Sequence, residues 1–432
     1  MKKLITAITV SAISAALLLA GCGNRTVSTQ TSAQTEESST QSQTAEETTR
    51  RSVTQEVTTA GSSGDDTVSA GAEVTTEKVS DTDSSDSVFT DRDLTQKADT
   101  SDAEYYTAKS GTTVTITEAG VYVFSGSAEN YTIKVDADSD AKVQIVLDGL
   151  TVTNDDFPVI YVVSADKVFV TTTDSTNTLK VTGTFTSDGT TNTDAVIFAK
   201  DDLVLNGTGT LVITSSAHGI SAKDDLKITG GTYVITSVKH CIEVNDSLYI
   251  SGGDFTLTSS SKDGINCGDD DDDTTGEVYI FGGTFVISSA SDGIQAQAKL
   301  EIDGGTFDIT SAEGLEATYV VINDGTINIS ASDDGINASA KSSAYSVLIE
   351  FNGGSTTIVM GSGDTDAVDA NGSIVVNDGY INITAQSAFD YDQSGVINGG
   401  TVIVNGTQIT VMTNQFGGGM GGFGGFGGGG RR

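Results

Sequence analysis

The chain has 432 residues, with 59 Asp plus Glu against 22 Lys plus Arg, a formal net charge of -37, one proline and no tryptophan. So acidic a chain is a poor partner for nucleic acid, whose binding depends on basic groups that neutralise phosphates. Its three cysteines are too few for a disulfide framework.

Lys2 and Lys3 precede an apolar run from Leu4 to Leu19 that is short for a bilayer span, and Leu19-Ala20-Gly21-Cys22 follows. Residues 1–21 therefore read as a signal peptide. The tetrapeptide resembles a bacterial lipobox, which implies that Cys22 becomes the lipidated first residue of an extracellular, membrane-anchored lipoprotein at the cell surface. Residues 22–87 are dominated by Ser, Thr, Glu, Gln and Asp and cannot bury enough apolar surface to offset chain entropy, so they read as a disordered linker. The glycine-rich stretch 411–432, with Phe416, Phe423 and Phe426 interleaved, reads as a disordered tail.

Between these ends the chain repeats. His218-Gly219-Ile220, His240-Cys241-Ile242, Asp263-Gly264-Ile265, Asp292-Gly293-Ile294, Glu313-Gly314-Leu315, Asp334-Gly335-Ile336 and Asp366-Ala367-Val368 recur at steps of 22, 23, 29, 21, 21 and 32 residues. A period near 22 with insertions around Asp269 to Thr275 and Ser339 to Ser346 is the signature of a solenoid. Apolar alternation with period two, as in Leu300-Glu301-Ile302 and Phe307-Asp308-Ile309, argues for strands broken by glycine pairs such as Gly282-Gly283. The expected fold is all-β, a right-handed parallel β-helix with three strands per coil. Its regular repeats would occupy 216–410, with an N-terminal cap and the first coils in 88–215. A leucine-rich horseshoe has a similar period, but an asparagine or cysteine ladder among leucines is not evident.

A solenoid turns spacing into columns of residues about 4.8 Å apart. His218, His240, Asp263, Asp292, Glu313, Asp334 and Asp366 form one column, and Ser221, Glu243, Asn266, Gln295, Glu316, Asn337 and Asp369 another, facing outward. Two unit charges at that spacing repel by roughly 3.5 kcal/mol at an effective dielectric near 20. Calcium reverses that sign, because it takes six to eight oxygens at about 2.3–2.6 Å. The expected calcium ligands are Asp263, Asp292, Glu313, Glu316 and Asp334, with Asp269 and Asp270 of the inserted acidic run completing a shell; acidic turn residues that merely cap strands are the alternative. The stacked histidines lack a clear third ligand and read as neutral turn residues. Cys267 reads as a core thiol and Cys241 falls in the glycine column, too far along the strand to bridge easily. Tyr233, Phe255, Phe285 and Phe307 share an inward position, whereas Tyr249 and Tyr279 should face outward as a platform for sugar rings or as ordinary edge tyrosines.

"KVQIVLDGLTVTNDDFPVIYV", "AVIFAKDDLVLNGTGTLVI", "GISAKDDLKITGGTYVIT" and the later Asp-Gly-Ile units, in that order, resemble a bacterial carbohydrate-binding domain family over residues 88–410. Its members are secreted parallel β-helix proteins similar to pectate lyases. The resemblance implies calcium binding and attachment to cellulose or polygalacturonate without catalysis. "KHCIEVND" departs from the Asp-Gly-Ile pattern at one coil. Three functions compete: a monomeric polysaccharide-binding module, a calcium-dependent polysaccharide lyase and a structural adhesin. A lyase base would have to be a lysine, with Lys223, Lys239 and Lys262 as candidates, because no arginine lies between Asp93 and Gly430.

Overall fold

The structure is a computed structural model that describes residues 88–362 and 365–414. The expected signal peptide, Cys22, the linker and the tail beyond residue 414 lie outside the described residues.

Apolar residues at alternate positions drive the secondary structure. In Ile265–Cys267, Glu277–Ile280 and Thr306–Ser311 every second side chain is buried and those between are partly or fully exposed. Twelve strands join one hydrogen-bonded sheet and 24 another. Along the chain one strand of the smaller sheet is followed by two of the larger. His218–Ala222, Leu226–Ile228 and Thr232–Ser237 make up one such repeat, and Ile242–Val244, Ser247–Ile250 and Asp254–Ser259 the next. Each strand pairs in parallel with its counterpart one repeat on, with Ile220 beside Ile242, Leu226 beside Leu248 and Tyr233 beside Phe255. Three ladders result, called here first, second and third in that order. The second and third merge early, where the 13-residue strand Lys142–Asn154 pairs with both Lys167–Thr172 and Thr176–Val181. An antiparallel partner, Thr407–Ile409 against Thr401–Val404, closes the last rung.

In-register pairing stacks like on like. Ile220, Ile242, Ile265, Ile294, Leu315 and Ile336 are fully buried in one column. Tyr233, Phe255, Phe285 and Phe307 form the expected inward aromatic stack, with the three phenylalanine rings 4.6 Å apart and within 3° of parallel. The glycine that follows Asp263, Asp292, Glu313 and Asp334 has a steric cause. A Cβ on Gly264 would stand 2.5 Å from Ile287 Cγ2 and 2.7 Å from the carbonyl oxygen of Gly293, closer than real atoms approach. The two cysteines among the described residues are buried free thiols, Cys241 as well as Cys267. An asparagine ladder is present after all, at the turns rather than among leucines. The side-chain amides of Asn352, Asn377 and Asn398 each donate to the side chain of the preceding member, at 2.9, 2.8 and 2.9 Å, starting from Asn323.

Before the first strand, residues 88–97 run alongside the second ladder. Thr90 caps the one-turn helix Asp91–Leu94 in a capping box with Asp93. Gln96 accepts from the amide of Gly207 and donates to Thr229, which also donates to the Asp93 carbonyl. The fully buried Asp93 carboxylate lies 3.9 Å from both Lys167 and Lys227, so three repeats share one clasp.

Because the ladder Phe255, Phe285, Phe307 loses two neighbours at once when its middle ring is removed, Phe285→Ala should cost about 3–5 kcal/mol. Val286→Thr, on the exposed side of the same strand, should stay within about 0.5 kcal/mol. Urea unfolding checks the pair, and equal shifts in the two variants would contradict the inward stack.

Candidate functional site

Inward Ile and Ala at the first ladder leave the residue between them pointing out, and the register aligns Ser221, Glu243, Asn266, Gln295, Glu316, Asn337 and Asp369 in one row. The second row, three residues earlier, is set by main-chain bonds. The N–H of Gly219 donates to the carbonyl of His240, that of Cys241 to Asp263, that of Gly264 to Asp292, and so on to Asp366. The two rows divide into an imidazole end and an acid end.

At the imidazole end the rings of His218 and His240 stack 5.1 Å apart at 23°. His218 Nε2 lies 3.6 Å from Asp194 and 3.8 Å from Glu243. Burial pushes the His218 pKa down to about 4 against the pull of both carboxylates, so the imidazole is neutral at neutral pH. Burial works against the Glu243 charge as well. Here the neighbouring His218, the Lys223 ammonium at 3.3 Å and the Ser221 hydroxyl at 2.6 Å outweigh it and hold the carboxyl at about 2. His240 Nδ1 lies 3.1 Å from Asp263, which also accepts from the amide of Asp292 at 3.0 Å. Those contacts overcome burial and keep the Asp263 pKa below the usual range.

At the acid end Asp292, Glu313 and Glu316 bring one carboxylate oxygen each within 4.8 Å of one another. Burial raises the Asp292 pKa to about 8, reinforced by Asp263, Glu313 and Glu316. Burial and Glu316 raise Glu313 to about 7. Lys341 Nζ meets Glu316 at 2.7 Å, and the Asn337 amide donates to Glu313 at 3.0 Å. Further along the row, burial lifts Asp334 to about 6 and Asp369 to about 7.

Three of the seven expected metal ligands thus come together, Asp292, Glu313 and Glu316. Asp263 is engaged with His240, and Asp334 accepts the amide of Asp366 at 3.1 Å. Asp269 accepts from Asn245 at 3.0 Å and, with Asp270, walls a cleft of about 500 Å³ over Lys223, His240, Glu243 and Lys262. The two insertions touch. Ser342 donates to the carbonyl of Asp273 at 2.5 Å, and the Tyr345 hydroxyl to Glu277 at 2.5 Å. Sequence marks both insertions but hides their contact, because 69 residues separate Asp273 from Ser342.

On the second ladder Tyr249 and Tyr279 are half-buried neighbours in register, with rings 5.3 Å apart and 4° from parallel. Lys227 lies over Tyr249, and Lys299 over both Tyr279 and Tyr319. The Tyr279 hydroxyl donates to Glu277 at 2.7 Å and the Tyr319 hydroxyl to Glu350 at 2.5 Å. The sequence reading missed Lys299, Tyr319, Tyr345, Lys341 and Asp194. Lys299 and Tyr319 follow Glu277 in one register column, a signal that alignment could have exposed. The others sit on an insertion or before the regular repeats, where spacing carries no register.

Residues 110–364 and 316–417 match the family of carbohydrate-binding domain-containing proteins. A carbohydrate-binding domain-containing protein of Acetivibrio thermocellus is 35% identical over 124 residues, which cover 27% of this chain and 43% of that protein. The chain therefore spans less than half the length of this relative. Among solved structures, a polysaccharide lyase-like protein from C. thermocellum, as a gadolinium derivative, is similar at 22% identity and a TM-score of 0.32, over 68% of this chain and 96% of that one.

The acid end has a pH signature. Asp292 and Glu313 ionise near 8 and 7 in the fold against 3.8 and 4.5 ordinarily, so the folded chain keeps protons that the unfolded chain releases. Their contribution is complete below about pH 4 and is lost as pH rises through 7 to 8. In chelator, the urea midpoint should fall between about pH 5 and pH 8, and Asp292→Asn should flatten the fall. A midpoint that climbs over this range in the unmodified chain would refute the assignment.

Proposed function

The chain belongs to the carbohydrate-binding domain family, and we propose that it is a monomeric cell-surface lipoprotein that holds polysaccharide of the cellulose or polygalacturonate type, assisted by calcium and without cleaving it. In this reading the three ladders are the faces of a right-handed parallel β-helix with three strands per coil. The one-two alternation of strands between the sheets and the parallel pairing of every repeat with the next support it.

The observation that carries the binding role is the tyrosine pair. Two parallel rings stacked one rung apart form an apolar ridge, and the nearby Lys227, Lys299, Glu277 and Glu301 supply hydrogen-bond partners for hydroxyls. Calcium fits the acid end by chemistry. Three oxygens within 4.8 Å of one another can share one ion at calcium–oxygen bonds of about 2.4 Å, and a divalent cation would offset the burial and mutual repulsion that raise the Asp292 and Glu313 pKa. Asp292, Glu313 and Glu316 would hold it, and the ion would let an anionic sugar approach so acidic a surface.

The lysines favour binding over elimination. Lys223 is tied to Glu243 and Asn245, and Lys239 to Asp194 at 2.5 Å, so both ammonium groups are already engaged by partners within the fold.

Pull-down on insoluble cellulose and on cross-linked polygalacturonate, with and without chelator, tests the proposal. Retention should drop in chelator on the acidic polymer, and Tyr249→Ala and Tyr279→Ala should each weaken retention by about 1 kcal/mol, several-fold in affinity. Unchanged retention in the double tyrosine variant would remove the platform. Appearance of unsaturated uronide absorbance would replace the binding module with a lyase.

A further inference from the structure

The imidazole end holds a feature that polysaccharide binding does not use. His218 is buried, yet neither ring nitrogen is hydrogen-bonded. Its Nδ1 has no partner, and the contacts of its Nε2 with Asp194 and Glu243, at 3.6 and 3.8 Å, are too long. A buried imidazole left without partners is costly unless something else engages it. His240 is held firmly beside it: its Nδ1 accepts from the Asp263 amide at 3.3 Å and lies 3.1 Å from the Asp263 carboxylate, which fixes the ring against the next repeat.

We propose that His218, His240 and Glu243 form a site for a divalent transition metal of the zinc class, separate from the acid end. One ligand atom from each lies within 4.8 Å of the others. Tetrahedral zinc, with bonds of about 2.0–2.1 Å, wants its ligands about 3.4 Å apart. Glu243 Oε1 already stands 3.8 Å from His218 Nε2, and the two imidazoles stack on adjacent rungs 5.1 Å apart. Two imidazoles and one carboxylate favour zinc, copper or nickel over calcium, which prefers an all-oxygen shell. Two of the three ligands, His240 and Glu243, line the 500 Å³ cleft, so the fourth position faces a space that a water or a ligand oxygen can enter. Asp194, held by Lys239 at 2.5 Å, borders the site and offsets the ion's charge. The "KHCIEVND" repeat, which departs from Asp-Gly-Ile, is where the second histidine enters.

The test is titration of the purified chain with zinc against a chromophoric chelator, and with cobalt followed by its visible absorption, in excess calcium and magnesium. One equivalent should bind, with the intense cobalt bands of a four- or five-coordinate site. His240→Ala and His218→Ala should each weaken zinc by more than about 100-fold, beyond the cost of an outer-shell change. Asp292→Asn should leave zinc affinity unchanged. Should His218→Ala fail to fold, His240→Gln, checked by circular dichroism, carries the same expectation. Equal zinc affinity in the histidine variants, displacement of zinc by calcium, or loss of zinc in Asp292→Asn would each overturn the site. Calcium-dependent retention on polysaccharide does not depend on this outcome.

Discussion

In-register parallel pairing is the constraint from which the rest follows. Once Ile220 sits beside Ile242 and Tyr233 beside Phe255, every side chain must be compatible with its counterparts one rung above and below. Apolar residues meet that demand by repetition, which is why isoleucines and phenylalanines stack in files. Charged residues cannot repeat so freely, because like charges one rung apart repel by several kcal/mol. The outer row answers this with spacing: Asn266 and Gln295 stand between Glu243 and Glu316, and Asn337 stands between Glu316 and Asp369. The row beside the glycines has no such relief from Asp292 to Asp334, and Asp292, Glu313 and Asp334 keep their protons above the ordinary range instead.

The candidate surfaces gather where the repeat is interrupted. The two insertions lie between first-ladder and second-ladder strands, Asp269 to Thr275 before Glu277–Ile280 and Ser339 to Ser346 before Leu348–Phe351. Equivalent breaks in a regular stack bring the loops to the same corner, where they bond to each other. From there Lys341 reaches the acid end and Tyr345 reaches the tyrosine cluster, so one loop borders both candidate surfaces. Both surfaces thereby rest on strands while their rims are supplied by loops.

Period-two alternation, the glycine positions and the 22-residue recurrence were enough to place the inward files, both polar columns and the tyrosine pair, since each depends only on which residues share a register. The contacts of Asp263 were not legible, because whether a carboxylate turns toward the next acid or the previous imidazole depends on a rotamer. Nor were the asparagine ladder and the Asp93 clasp. The first was present as Asn323, Asn352, Asn377 and Asn398 ahead of their glycines but was overlooked among the turns. The second joins residues more than 130 positions apart, as Asp93 and Thr229 do.

What the sequence by itself determined is the set of vertical neighbours, because local alternation decides which side chains point in and the repeat length decides what lies above them. Only the tertiary structure decided which neighbours across columns face one another. It put His218 beside Asp194 and Glu243, gathered Asp292, Glu313 and Glu316, and closed one insertion on the other. Those meetings depend on how the outer faces and corners pack, and a one-dimensional period holds no information about distances around the axis.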